Sequence, residues 1–582
     1  MTQKQNNWEN MIRKNMIILL SIIGLMVCIA GLFPQVRWMI IDFAVRILHR
    51  EPYSYQSWLK TFLSYAMGGI CFILFLDYCM LTNSGRALVQ KVKQETKECL
   101  SEIDFRSLIK PLLLMFGVYL LGILTIIRAN FSYMDDLGRS AEGYREWFSW
   151  NRYVSEVFSI IVHGDTNMTD ISPLPQLLAI LILAISSVLL VYIVSNKKIT
   201  TVRLLASIPL GLSPYFIGCL SYKFDAPYMA LSILANIVPF LFISRKKVFF
   251  FFSTVSLLIM CMTYQAASGI YLMIVLILCF QDWNSRKKSN KEILSFLWMA
   301  VFAFCFALLA FRFFLMKPID YYVSSTMFPL HQIIQGTLGN INQYATAINH
   351  DFGVIWKIGI VLVLFFFITK STGQSAQKKL LSFIVSILIV GISFMVSYGV
   401  YSLMTVPFYA PRALFGFGVF LAVLSIYIVS DYKKIAVVAV LALNWCLFGF
   451  AFSYGNALAD QARYAEFRVG ILLHDLSALY PDPYKKDLSI QLKSSIDYTP
   501  SIKNIAKHYP VIEQLVPKRL EADDMWGKYY LSKYFNFYTE KNISLSIESP
   551  IDFSVLNLPV VLDSYYHTIQ SDGNRMLIIL KH

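Results

Sequence analysis

The sequence predicts a polytopic all-α membrane protein with about 13 transmembrane helices, closed by a small α/β C-terminal domain on the non-cytoplasmic side. Three observations carry that prediction. Of 582 residues, 57% are hydrophobic and only 15% are charged, where a soluble domain runs at about a quarter charged. The apolar residues are blocked, as in Met16 to Phe33, Leu112 to Ile127, Leu177 to Val194 and Phe296 to Leu315. Such blocks match the roughly 20 residues that cross about 30 Å of hydrocarbon. The connections between blocks alternate between basic and nearly uncharged.

In chain order the spans fall near 16–33, 62–81, 110–127, 174–194, 203–220, 226–243, 248–262, 265–281, 294–316, 354–369, 380–402, 410–430 and 435–454. The first is followed by no small-residue cleavage site before Arg37, so it is read as retained. With Lys4, Arg13 and Lys14 on the cytoplasmic side, every inside connection is basic. They carry Arg86/Lys91/Lys93/Lys97, Lys197/Lys198, Arg245/Lys246/Lys247, Arg286/Lys287/Lys288, Lys378/Lys379 and Lys433/Lys434. An odd number of spans then places 128–173, 317–353 and the segment after 455 outside. The net charge of +15 is therefore a topology signal and not a nucleic-acid footprint.

Residues 456–582 change character, with frequent Lys, Asp, Tyr and Pro and no span-length apolar run. Asn456 to Leu479 has helical periodicity and continues the last span, and Asp523 to Phe537 reads as a second amphipathic helix. Pro559 to Ile569 and Arg575 to Lys581 read as a β-hairpin about Ser571-Asp572-Gly573-Asn574. Three regions follow: 1–107, a membrane hairpin with a basic loop; 108–455, the transmembrane core with an outside loop at 128–173; and 456–582. The nine cysteines lie mostly in apolar blocks, none beyond Cys446 and none at metal-ligand spacing.

The outside loop after the third span is unusually dense in chemistry: Tyr133-Met134-Asp135-Asp136-Leu137-Gly138-Arg139-Ser140, then Glu142, Gly143, Tyr144, Trp147 and Arg152. A helix from Asp135 would set Asp135, Arg139, Glu142 and Glu146 on one side. Adjacent carboxylates repel, which raises one proton affinity, while a neighbouring Arg lowers the other, so an acid and base pair can form. A helix cap with a surface ion pair accounts for the same residues. Trp150 to Ile161 reads as a helix lying in the headgroup zone. Further outside-facing candidates are Lys223, Asp225, Tyr264, Gln265, His331 and Arg412. An Arg at the outer end of a span can hold a phosphate or merely snorkel. Asp77 and Arg312 lie within or near the ends of spans, and Asp77, toward the inner end of its span, reads as an anchor.

The run Asp135-Asp136-Leu137-Gly138-Arg139-Ser140, with Gly143-Tyr144, Trp147, Arg152 and Asp170-Ile171-Ser172-Pro173-Leu174-Pro175-Gln176, resembles the type II glucosyltransferase family of bacterial O-antigen modification. These are serotype-converting enzymes often carried by phages. The match is dense over 131–178 and elsewhere rests on hydropathy. Two departures are Asn151-Arg152-Tyr153, where the family has Gly-Arg-Pro, and two spans added before the motif loop. The resemblance implies a GT-C-like fold in the bacterial inner membrane. It implies a polyprenyl-phosphate hexose donor, commonly glucose, and an O-antigen repeat as acceptor on the periplasmic face. It assigns Asp135 as base, with Asp136 as its partner or the alternative base, and offers Arg139, Arg152 and Arg412 for the phosphate. Glu142, Tyr264, Gln265, Lys223, Asp225 and His331 are further substrate-binding candidates. No cofactor is required, although a divalent cation could bridge Asp135 or Asp136 and a phosphate. A flippase of lipid-linked sugars is the rival reading, but it would call for midplane charges and internal repeats, which the sequence lacks. A periplasmic glycan ligase or polymerase is another.

Overall fold

The computed structural model describes residues 83–317, 326–430, 434–479, 489–522 and 552–582. The helices in order are α1 (Asn83–Ser101), α2 (Phe105–Ala129), α3 (Asp136–Glu142), α4 (Tyr153–His163), α5 (Leu174–Val194), α6 (Thr201–Leu212), α7 (Pro214–Leu220), α8 (Ala226–Phe242) and α9 (Lys246–Cys261). They continue as α10 (Gln265–Asn284), α11 (Asn290–Leu315), α12 (Ile333–Asp351), α13 (Val354–Gly373), α14 (Lys379–Ser397), α15 (Gly416–Val429) and α16 (Lys434–Leu479). Strand β1 (Ser489–Lys493), short helices α17 (Pro500–Ala506) and α18 (Ile512–Leu515), and strands β2 (Val560–Asp563), β3 (His567–Ser571) and β4 (Arg575–Leu580) complete the chain.

Among the described residues, seven helices are long and apolar enough to cross a membrane: α2, α5, α10, α11, α13, α14 and α16. The chain is therefore a multi-span membrane protein. The predicted spans at 16–33 and 62–81 lie outside the described residues, as does the amphipathic helix predicted at 523–537. The predicted span at 203–220 is broken, because Pro214 opens α7 after Ser213 and the two halves meet at 67°. Helices α8 and α15 are shorter than the spans predicted there; α15 is buried at nearly every position, so it is surrounded by protein. A helix enclosed by other helices need not match the thickness of the hydrocarbon.

The last span runs on without a break as α16, as its periodicity predicts. Its far end packs Ala465, Val469, Leu472 and Leu476 beneath a four-stranded sheet of order β1-β4-β3-β2. Strand β4 is antiparallel to β3 and parallel to β1. Alternation fixes its faces: Met576, Ile578 and Leu580 meet the helix, while Leu577 packs on Phe553 and Leu558. The predicted hairpin turn at 571–574 joins β3 to β4, but the run from Pro559 to Ile569 bends around residues 564–566 into two strands. Ile502, Val511, Ile512, Leu515 and Val516 join the core of the membrane body instead of the sheet's core. Part of the C-terminal segment thus packs with the membrane body.

Candidate functional site

Helix α2 ends at Asn130, whose left-handed backbone (φ 45°) turns the chain toward the motif. The amides of Tyr133 and Lys223 both donate to Asp136 Oδ2, at 2.8 and 3.0 Å. This carboxyl is fully buried and ties the start of α3 to the segment after α7. Burial, reinforced by the charge of Asp135, holds its pKa well above the usual carboxylate range, against the pull of the two amides. Helix α3 is only two turns long because Gly143 takes φ 71° and its N–H closes on the Arg139 carbonyl at 2.8 Å. A Cβ there would also meet the Asn167 side chain at 2.0 Å.

Asp135 is the N-cap residue of α3, and its Oδ2 accepts from Arg139 Nε at 2.6 Å. The same guanidinium lies 3.6 Å from Asp225 Oδ2 and stacks over the Trp147 ring at 4.2 Å. Trp147 Nε1 in turn donates to Asp225 Oδ1 at 2.5 Å. One cation is thus shared by two carboxylates on an aromatic floor. Burial works against the charge of Arg139, but Asp225 and Asp135 outweigh it and its pKa is raised. For Asp225 burial raises the pKa, with Arg139 opposing.

Asp135, Arg139 and Asp225 open onto a cavity of about 610 Å³. Glu146, Arg152, Arg412, Tyr264 and Gln265 also line it, together with Cys305, Leu308, Leu309, Arg312, Met316 and Met404. The Arg152 guanidinium sits 4.7 Å from the Tyr264 ring. Arg412 Nη1 donates to the Tyr222 hydroxyl at 2.9 Å, and its guanidinium lies 5.1 Å from the Phe408 ring. The loops after α2, α7, α9, α11 and α14 meet here. Those are the connections that the charge pattern assigns to one side.

The family described as Glucosyl transferase GtrII matches residues 124–429, more than half the chain and all of the cavity's lining. The chain belongs to this family. Among curated proteins, an uncharacterized 55.3 kDa protein in the gtrB 5′ region of Salmonella phage P22 is 24% identical over 436 residues, covering 69% of this chain and 85% of that protein. No solved structure matches. The type II glucosyltransferase resemblance read from 131–178 is thereby borne out, and the chain is a glycosyltransferase.

Within that family frame, several predicted residues move. Asp136 does not line the cavity, because both neighbouring amides hold it inside the protein. Arg139 pairs with Asp135 and Asp225, not with Asp136. Glu142 is exposed and outside the lining, whereas Glu146 reaches the cavity only because Gly143 ends the helix that was to carry both on one face. Lys223 is buried but turned to Asp170, 2.9 Å away, and His331 is exposed and off the cavity. Arg312, placed at a span end by its apolar neighbours, lines the cavity on a π-helical turn over Phe311–Leu315. Tyr222 had no signal in the sequence beyond its place two residues before Phe224-Asp225. Among the described residues there is no cluster of three His, Cys, Asp or Glu side chains suited to a metal ion.

Proposed function

We propose that the chain moves a hexose, glucose by its family, from a polyprenyl-phosphate donor to an O-antigen repeat unit at the periplasmic face of the bacterial inner membrane. The observation that carries this reading is the mixed lining of the cavity. Carboxylates, several arginines and a larger set of apolar side chains line it together, which suits an amphiphile with a phosphate at its polar end. The N-terminus is then cytoplasmic and the C-terminal sheet periplasmic, in keeping with the basic inside loops.

In this reading an acceptor hydroxyl attacks the anomeric carbon, forming the new glycosidic bond as the bond to the phosphate oxygen breaks. The hydroxyl proton passes to Asp135, the motif carboxylate that lines the cavity. The electron pair leaves with the phosphate, whose charge Arg152 and Arg412 compensate. Inversion at the anomeric carbon follows from attack opposite the leaving group. Arg139 is already engaged by Asp135 and Asp225, so its role is to hold both carboxylates in place. Reconstitution of the purified chain in vesicles with synthetic polyprenyl-phosphate glucose and O-antigen fragments tests the reaction. Acceptor-dependent release of polyprenyl phosphate with one hexose added to the acceptor is the expected result. Movement of intact donor across the vesicle bilayer, without transfer, would favour a flippase instead.

A further inference from the structure

The C-terminal segment 498–516 takes no part in the chemistry above, yet it is packed into the membrane body. The Leu515 carbonyl, in a residue 1% exposed, accepts from the hydroxyls of Tyr133 at 2.9 Å and Tyr454 at 3.3 Å. Gln514 Nε2 donates at 2.7 Å to Asp351 Oδ1, and Asp351 Oδ2 accepts from the Tyr215 hydroxyl at 2.9 Å. At Gly353 an added Cβ would meet the His508 carbonyl at 2.4 Å, so the segment and the start of α13 approach closer than a side chain allows. Two sets of bonds thus hold the segment, the Tyr133 and Tyr454 hydroxyls on the Leu515 carbonyl and the exposed Gln514 on the buried Asp351–Tyr215 pair, and buried bonds of this kind are costly to break in part.

Tyr133 gives this contact a consequence for the cavity. Its amide holds Asp136, two residues ahead of it stands Asp135, and its ring packs edge-on against Tyr222 at 4.8 Å. The Tyr222 hydroxyl accepts from Arg412. Tyr133 therefore stands between the carboxylate wall and a cation of the same cavity, and Leu515 fixes where its far end lies.

We infer that residues 498–516 are a brace that positions Asp135 and Arg412 relative to each other through Tyr133, so that the C-terminal segment sets the geometry of transfer without touching substrate. Tyr133 and Gln514 are its positioning residues. The inference rests on the transferase reading for its kinetic consequence but not for its structural one.

The test uses the full chain, as wild type, Tyr133→Phe, Gln514→Ala and the double variant, in two measurements. Hydrogen exchange should quicken in the amides of 133–142 in both single variants, with α5 unchanged. In reconstituted transfer, kcat should fall about tenfold in each single variant while donor KM stays within about twofold, since misplacement affects the transition state more than binding. The double variant should be little worse than either single one, because both release one device. Unchanged exchange at 133–142, multiplying kcat losses, or losses that only track the folded fraction would each overturn the brace. Quickened exchange in a chain that transfers no hexose would uphold the brace and sink the transferase reading.

Discussion

Asp135 and Asp136 are neighbours in the chain with opposite surroundings. Asp135 stands at the N-cap position of α3, at the cavity wall beside a guanidinium, while Asp136 is sealed inside with two amides on one oxygen and its Oδ1 without a hydrogen-bond partner. Asp136→Asn keeps the accepting oxygen, so the fold should persist, whereas Asp136→Ala strands two buried amides at a cost of about 1–3 kcal/mol each. The folded-state pKa of Asp136 is raised. Its unfolded form therefore ionises first as pH rises, and stability is lost from the unfolded pKa upward until the folded form ionises too. Thermal unfolding in detergent should show Asp136→Asn gaining on wild type between acidic and neutral pH. Arg139→Gln removes the cation that opposes the upward shift of Asp225, so the Asp225 carboxyl, followed by infrared difference spectroscopy, should titrate at higher pH. A titration that stays put or moves down would remove Arg139 from the carboxylate network.

The motif helix is shorter than periodicity suggests, and the stop signal was visible as Gly143, since a left-handed turn after Glu142 needs a residue without a Cβ. What no pattern announced was the joining of Trp147 to Asp225 beside Arg139, because a contact between residues 78 apart leaves no periodicity. Helix α4 shows the reverse case. Its alternation suggested an interfacial helix, and it is inverted relative to a soluble one: Ser155, Glu156 and Ser159 are buried and Val157, Phe158 and Ile161 exposed. Glu156 is held inside by Arg145 at 2.8 Å and by the Trp147 amide at 3.1 Å. That outward apolar face should meet lipid. A nitroxide on Ile161→Cys in vesicles should be more accessible to oxygen than to a water-soluble nickel chelate, and the opposite preference would place α4 in water.

For the molecule as a whole, the most readable feature was the alternation of basic connections, because topology is written locally in Lys and Arg. Loops assigned to one side by that alternation, around 135–152, 222–225, 264–265 and 400–412, converge on one cavity. Less readable was the division of labour among helices. Hydropathy cannot separate a lipid-facing span such as α11, with Trp298, Phe302 and Phe313 exposed, from an enclosed one such as α15, since both are uniformly apolar. Nor does composition reveal that 498–516 belongs to the membrane body, because Ile502, Ile512 and Leu515 are as sparse there as in any soluble segment. The central claim is that this cavity transfers a hexose with Asp135 as base. It is tested most directly by mass spectrometry of O-antigen from cells carrying wild type, Asp135→Asn or Asp136→Asn at matched membrane levels. The account predicts one added hexose per modified repeat with wild type, at least a hundredfold loss (about 10² or more for a general base) with Asp135→Asn, and substantial retention with Asp136→Asn. Full activity in Asp135→Asn, or no added hexose from wild type in cells supplying donor and acceptor, would contradict it.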